Sequence, residues 1–190
     1  MSRRARIAGG GTAVAVVLVL AIVSGLPRWR KRAAPAAGGT APAATPAAPG
    51  RKIKARLFYV AEDGVRLIGV ERDVAYGEGP AEQAREIITA QIAPAAAPLV
   101  SAVPAGTTLR ALFVTERGEA YVDLSRDVVS AHPGGTLSET LTVYTLVNAL
   151  TANLPAIAAV QVLVEGKEVE TLSGHVDLRR PLAKNLSWVQ

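Results

Sequence analysis

The chain contains no cysteine, and it has only two histidines among its 190 residues. Without cysteine it can form no disulfide, no thiolate nucleophile and no cysteine-ligated metal site. A bacterial lipoprotein anchor, which is attached to a cysteine, is not expected either. Neither histidine lies in a zinc-binding spacing such as HExxH. The sequence therefore predicts no metal site and no cofactor.

Acidic residues are missing from the first 32 positions, which carry seven Lys and Arg residues. The remaining positions hold 14 basic and 16 acidic side chains, so the net charge of +5 comes from the N-terminal region. Basic residues that cluster beside an apolar run are typical of a membrane flank rather than a nucleic-acid surface. We therefore expect no nucleic-acid partner.

A run without charge extends over residues 8–26, behind a basic tail at residues 1–7. As a helix, this run would span about 28 Å, close to the thickness of a bilayer's hydrocarbon core. The following PRWRKR is typical of a stop at the membrane surface, although the later KRAAPAA leaves signal-peptide cleavage open. We predict an uncleaved single-pass anchor. Both flanks are basic, so charge alone does not set its orientation.

Residues 27–50 consist of the basic flank and then an Ala/Pro-rich stretch, AAPAAGGTAPAATPAAPG. Ala, Pro, Gly and Thr alone cannot bury a core, and the proline spacing favours polyproline II over helix. This stretch is predicted to be a stalk that holds the domain at residues 51–190 away from the membrane.

The domain shows elements in the order β-β-α-β-β-α-β-β. A turn at Asp63-Gly64 separates two apolar runs, and Pro80 suits the first position of a helix. Gly118 lies in the ERGE turn of a second hairpin. Two strands before each helix predict an α/β (α+β) fold: a small mixed β-sheet with two helices packed on one face, behind an N-terminal transmembrane helix.

Two local features are predicted around the second helix and the last hairpin. Thr136 and Glu139 have the spacing of a capping box, in which each side chain bonds a free backbone N–H of the helix start. Gly166-Lys167 fits a two-residue type II′ turn, which needs glycine first.

Catalytic residue types occur near the C-terminus, in GHVDL. His175 and Asp177 are two residues apart, and on a strand they would share a face and could hydrogen-bond. Catalysis would also need a nucleophile or a metal-bound water, and no GxSxG motif occurs. We therefore predict a structural role for this pair, through a His–Asp or a backbone hydrogen bond, and a loop or surface role for His132. Three glutamates could serve as paired carboxylates of a glycosidase, but in a hairpin they are more simply solvated charges; they are Glu165, Glu168 and Glu170.

Several segments in one order resemble the GerMN domain of sporulation and spore-germination proteins. They are a Pro-x-Gly-Thr lead-in, YVDLS, YTLVNALT, VQVLVEGK and a GHVDL…PL tail, within residues 55–183. We expect structural roles for the motif residues and the predicted cap. These residues are Gly106, Asp123, Thr136, Glu139, Asn148, Gly166, Gly174, His175 and Asp177.

The resemblance implies a fold similar to ring-building domains of secretion and sporulation channels. It also implies a non-enzymatic envelope role, with the N-terminus cytoplasmic and the domain extracytoplasmic. The partners would be the membrane, through residues 8–26, and envelope proteins; a homo-oligomer is compatible with this role. The protein for which the family is named carries two such domains, and this chain has one. Two alternatives stay open: a cell-wall hydrolase or hydrolase activator centred on His175 and Asp177, and a sensor that binds a ligand or glycan.

Overall fold

The computed structural model describes residues 50–190. The predicted basic tail, the predicted anchor and the stalk except Gly50 lie outside the described residues. Within residues 50–190, no helix is both long and apolar enough to cross a membrane.

Three helices and seven strands make up the described domain. The helices are α1 (Pro80–Ile92), α2 (Asp127–Ser130) and α3 (Thr136–Asn153). The strands are β1 (Lys52–Val60), β2 (Leu67–Ala75), β3 (Leu109–Val114), β4 (Glu119–Leu124), β5 (Ala159–Val164), β6 (Lys167–Glu168) and β7 (Leu182–Ala183). The predicted order of elements is confirmed, with α2 and the short β7 as additions.

The five-stranded sheet runs β3-β4-β5-β6, with β7 beside β6 along the same edge of β5. Strands β4 and β5 are parallel and all other pairs are antiparallel, so the sheet is mixed, as predicted. A parallel pair needs a crossover connection, and α3 supplies it. Alternate residues of β4 and β5 are buried with the apolar side chains of α3 in the core. They are Ala120, Val122, Leu124, Val160, Val162 and Val164.

The single sheet that was predicted is wrong in one respect, because β1 and β2 form a separate two-stranded sheet. Amide side chains occupy the outer edge of β1. The amide of Gln91 in α1 bonds both the N–H and the C=O of Phe58, at 2.8 and 2.7 Å. Asn153 of α3 does the same to Arg56, at 2.8 Å each. These bonds satisfy the backbone groups that a further strand would otherwise pair.

The last hairpin exists, but its turn is Glu165-Gly166 rather than Gly166-Lys167. Val164 pairs with Lys167, so Glu165 and Gly166 are the two central residues. Both have positive φ, 52° and 76°, as a type I′ turn requires. The positive φ that the prediction required of Gly166 is confirmed. The predicted type II′ turn is wrong, because the two-residue turn begins at Glu165, one residue earlier than predicted.

Candidate functional site

The carboxylate of Glu139, in the first turn of α3, is fully buried and holds the loop between β6 and β7. It accepts hydrogen bonds from the backbone N–H groups of Leu172 at 2.7 Å, Ser173 at 3.0 Å and His175 at 2.8 Å. The Ser173 hydroxyl donates a fourth bond at 2.9 Å, and Nδ1 of His175 lies 3.2 Å from Oε2. One side chain thus binds three of the four loop residues from 172 to 175.

The loop that binds Glu139 belongs to the connection between β6 and β7. Its neck is closed by a 2.8 Å bond from the N–H of Leu178 to the C=O of Glu170. Gly174 has φ 99°, which lets the backbone turn so that the N–H groups on both sides of it converge on one carboxylate. Converging N–H groups of this kind form a concave site for an anion. Here the anion is the protein's own carboxylate.

The electrostatics of Glu139 follow from this arrangement. Burial by itself would raise the pKa of the Glu139 carboxyl. The hydrogen bonds from the backbone and side chain of Ser173, and from the N–H groups of Leu172 and His175, outweigh burial and lower the pKa to about 2. The group is therefore ionised at neutral pH, although no part of its side chain reaches solvent.

The predicted capping box at Thr136 and Glu139 is wrong. The N-cap of α3 is Gly135, and no side chain bonds the free N–H groups there. The carboxylate that would complete the box is already bonded to the loop at Leu172–His175. Thr136 contributes its backbone C=O instead, which accepts a bond from the hydroxyl of Thr140 at 2.7 Å.

His132 lies on the other side of the α3 start and is also hydrogen-bonded. Its Nδ1 accepts a bond from the N–H of Gly134 at 3.0 Å, which places the ring proton on Nε2. Nε2 lies 3.2 Å from the hydroxyl of Thr142, which in turn lies 2.6 Å from the C=O of Ala102. Desolvation lowers the pKa of His132, although the nearby carboxylate of Glu139 acts in the opposite direction.

Of the two alternatives predicted for this pair, the hydrogen bond between His175 and Asp177 does not form, whereas Asp177 accepts a backbone bond from the N–H of Arg179 at 3.0 Å. Residues 175–177 are not in a strand, so the two side chains do not share a strand face. Asp177 instead forms a double hydrogen bond with the guanidinium of Arg179, at 2.9 and 2.8 Å. This exposed partner lowers the pKa of Asp177 well below its usual range. The carboxylate partner of His175 is Glu139.

Two further buried polar side chains hold the C-terminal segment, and both belong to the predicted motifs. Asp123 of β4 accepts a 2.7 Å bond from the N–H of Gly166 and also bonds Arg110 at 3.2 Å. Asn148 of α3 donates to the C=O of Asn185 at 2.8 Å and accepts from its N–H at 3.0 Å. Together with Glu139, these residues fasten three points of the chain after β5.

The remaining motif residue, Gly106, is separate from this cluster. It lies in the connection before β3 with φ 84°, and a side chain there would point toward Asp127. The structure thus brings Glu139, Gly174 and His175 together, and it separately joins Asp123 to Gly166. Sequence reasoning missed Ser173, Thr142 and Arg110. The one available signal was the position of Ser173 beside the GHVDL motif, although its partner Glu139 is 34 residues away.

The cluster contains acid–base residue types, but its hydrogen bonds connect the start of α3 to the loop between β6 and β7. Glu139 has no exposed surface, and the bonds described above run to atoms of the same domain. Within residues 50–190, no group of three or more His, Asp or Glu residues is arranged to hold a metal ion.

Comparison with solved structures shows the fold. A Clostridium perfringens protein, named as a candidate lipoprotein, matches with a TM-score of 0.50 and 20% identity, over 70% of this chain and 88% of that one. The tandem GerMN domains of the sporulation protein GerM from Bacillus subtilis match with a TM-score of 0.51 and 17% identity, over 72% of this chain. The match spans 46% of that two-domain chain. A comparison with curated protein sequences gives no match.

The family match rests on sequence as well. The family model Germane, described as sporulation and spore germination, matches residues 56–170, which is more than half of the chain. The matched range contains Asp123, Glu139 and Asn148, the three side chains that fasten the C-terminal segment. The chain belongs to this family, that of the GerMN domains.

Proposed function

We propose that the protein is a non-enzymatic interaction module of the cell envelope, held by a membrane anchor at residues 8–26. The observation that carries this proposal is that the polar groups of the Glu139 cluster bond to one another inside the domain. Its central carboxylate, Glu139, faces inward and binds four loop groups of its own domain. An acid–base catalyst must instead reach a proton on a substrate. The chemistry of the cluster serves the fold.

A candidate contact surface lies along β3, at the edge of the five-stranded sheet that is farthest from β6 and β7. Within residues 50–190, β3 has a strand neighbour only on its β4 side. Phe113, in the middle of β3, is 62% exposed, the largest exposure among the large apolar side chains of this part of the chain. The carbonyl of Leu112 accepts a hydrogen bond from the guanidinium of Arg85 in α1, at 3.3 Å. Exposed aromatic groups beside unpaired strand edges are recurrent features of protein-binding sites.

An extracytoplasmic location is part of the proposal. It is supported by the apolar run at residues 8–26, by the stalk that follows, and by the lipoprotein name of one structural neighbour. A relation to sporulation or germination is supported by the family description and by the neighbour from a sporulation protein.

Site-specific photocrosslinking in cells tests the interaction role. A photoreactive phenylalanine analogue placed at Phe113 of the full chain should yield crosslinked products of defined mass. The same analogue at Glu168, an exposed residue on the far side of the sheet, is the matched control. Products at both positions alike, or at neither, would contradict an interface at β3. Mass spectrometry of the products distinguishes a second copy of this chain from an envelope protein.

A fusion experiment tests the location separately. A phosphatase that folds only outside the cytoplasm, fused after Gln190, should be active, and a fluorescent protein that folds only inside should be dark. Deletion of residues 8–26 should reverse both readouts. Fluorescence of the full-length fusion would overturn the extracytoplasmic proposal without bearing on the β3 interface.

A further inference from the structure

A shallow apolar patch lies between the connection from β2 to α1 and the connection from α3 to β5. We call it the Tyr76 patch, and its main residues are Tyr76, Pro80, Leu154, Pro155 and Ala156. None of its described lining residues is charged, and Tyr76 is 39% exposed. An exposed surface of this composition favours an apolar partner over a charged one.

The two walls of this patch are fixed by hydrogen bonds. The buried amide of Gln83 accepts a bond from the N–H of Gly77 and donates one to the C=O of Ala75, both at 3.0 Å. On the other wall, the N–H of Ile157 bonds the C=O of Leu154 at 2.9 Å. A surface that is formed before its partner arrives loses little freedom on binding.

The patch is small for a ligand site but suits the side chains of a docked segment. Its volume is about 270 Å³, and small-ligand pockets commonly measure roughly 300–1,000 Å³. Grooves lined by aromatic rings are typical binding sites for proline-rich segments in the polyproline II conformation, and Tyr76 supplies such a ring here. The patch therefore fits a short segment that contains proline.

The chain enters the domain beside the same patch. The N–H of Tyr76 donates a 2.9 Å hydrogen bond to the C=O of Arg51, which continues the antiparallel pairing of β1 with β2. The guanidinium of Arg51 also stacks on the Tyr76 ring, 3.9 Å from its centroid. Residues 46–49, which come directly before Gly50, therefore start within reach of the patch.

The segment at residues 46–49 has the sequence PAAP and carries no charge. A polyproline II helix has three residues per turn and a rise of about 3.1 Å per residue, so Pro46 and Pro49 would lie on one face, roughly 9 Å apart. This PxxP spacing is the one that aromatic-lined grooves recognise. The segment thus has the chemistry and the spacing that the patch calls for.

We propose that residues 46–49 dock on the Tyr76 patch of their own chain in the polyproline II conformation, with both prolines of the segment against the patch. Because the segment is tethered to the patch, its effective concentration is on the order of mM, so even a weak contact is populated. The end of the stalk then forms part of the domain surface, which fixes the direction in which the stalk leaves the domain. The proposal depends neither on the anchor nor on the β3 edge.

Disulfide trapping in the full chain tests the docking, because the chain contains no cysteine of its own. In the double variant Ala48→Cys with Ala156→Cys, one thiol lies in the segment and the other on the patch. Mild oxidation in detergent micelles should give a disulfide within one chain, identified by peptide mapping. The matched control is Ala48→Cys with Ala75→Cys. Ala75 is exposed and adjoins Tyr76, but successive side chains of an extended chain point to opposite faces, so only an undocked segment would reach both thiols alike.

The role of the two prolines is tested in the variant that carries thiols at positions 48 and 156. Trapping there should be about three- to tenfold faster than in the Ala75 control, and Pro46→Ala with Pro49→Ala should remove this advantage. Pro35→Ala with Pro42→Ala removes as many prolines from the stalk but leaves the PAAP segment intact, and it should not change the rate.

The tyrosine is tested in the same thiol background. Tyr76→Ser should slow trapping, and its combination with the Pro46 and Pro49 changes should cause no further loss, because both remove the same contact. Tyr121→Ser, which alters a partly exposed tyrosine on β4, is the control and should leave the rate unchanged. Thermal melts show whether the tyrosine variants fold. The proline changes lie before the described domain and keep the test decisive if Tyr76→Ser is unstable.

Three outcomes would overturn the proposal. They are equal trapping rates with thiols at Ala156 and at Ala75, an unchanged rate after the Pro46 and Pro49 changes, and disulfides that form between two chains rather than within one. The last outcome would place the segment on a second copy of the protein.

Discussion

Glu139 and His175, 36 residues apart in sequence, meet through two contacts. The N–H of His175 donates a 2.8 Å hydrogen bond to Oε2 of Glu139, and Nδ1 of the same histidine lies 3.2 Å from that oxygen. The carboxylate is buried at the start of α3, whereas the histidine ring is 38% exposed. The contact therefore joins a carboxylate inside the domain to an imidazole ring near solvent.

Glu139→Gln should destabilise the domain strongly at neutral pH. The amide has one acceptor oxygen for four donors, and its NH₂ group faces N–H groups that cannot accept. We expect a loss of about 2–4 kcal/mol in the free energy of unfolding, from donors left buried without a partner. Urea denaturation at pH 7 measures it. Glu168→Gln, on the exposed strand β6, is the control and should change stability little; equal effects of the two variants would contradict the assigned role.

Glu139→Gln should also change how the free energy of unfolding depends on pH in acid. The folded-state pKa of Glu139 is about 2, below the ordinary value of 4.5, so its contribution to stability is complete above pH 4.5 and is lost as the pH falls toward 2. The difference in unfolding free energy between the unaltered protein and Glu139→Gln should narrow over that range. A constant difference from pH 5 to pH 2 would mean that the carboxylate is not the stabilising group.

His132 should give a second pH dependence, at higher pH. Burial lowers its folded-state pKa below the ordinary 6.5, so the unfolded chain takes up a proton first. Stability from this group is complete above pH 6.5 and declines as the pH falls toward the folded-state value. His132→Asn keeps an oxygen for the N–H of Gly134 but cannot titrate. Urea denaturation between pH 7.5 and 5 should show a shallower decline for the variant, and parallel curves would contradict the prediction.

The sequence predicts the elements well because periodicity is a local property. Pro80 after Gly79 placed the start of α1, and Gly118 placed the β3–β4 turn, as the structure shows. The wrong predictions concern residues whose local sequence fits more than one structure. Glu139 fits a capping box by spacing alone, but its partners lie 33 to 36 residues away. A loop that wraps a distant carboxylate leaves no periodic signal.

The division into two sheets was also beyond local reasoning. Gln91 lies seven residues after the buried Ala84, on the same face of α1, and a polar residue on an apolar stripe was the available signal. Which backbone it would bond could not be read from the sequence, because Phe58 is 33 residues earlier. The edge of β1 is closed by these side chains rather than by a strand.

The turn at Glu165-Gly166 makes two predictions of opposite sign. Glu165 has φ 52°, which is unfavourable for a residue with a Cβ, so Glu165→Asn should raise the melting temperature slightly. Gly166→Val should lower it clearly; the space around Gly166 is open, so the expected cost of about 1 kcal/mol or more comes from the backbone. Calorimetry on both variants tests the pair. A stabilising Gly166→Val would show that the turn is not type I′.

Asn148 makes the final prediction, which concerns how independently the C-terminal segment is fastened. Its amide is fully buried and bonds both backbone groups of Asn185. Asn148→Leu removes both bonds, so hydrogen exchange at the N–H of Asn185 should become faster, while exchange at Leu172 and Ser173 should stay slow because Glu139 still holds them. Asn153→Leu in the same helix is the matched control, since Asn153 holds Arg56 in the same two-bond manner; it should accelerate exchange at Arg56 and leave Asn185 protected. Faster exchange at both segments in either variant would show that the anchors open together as one unit.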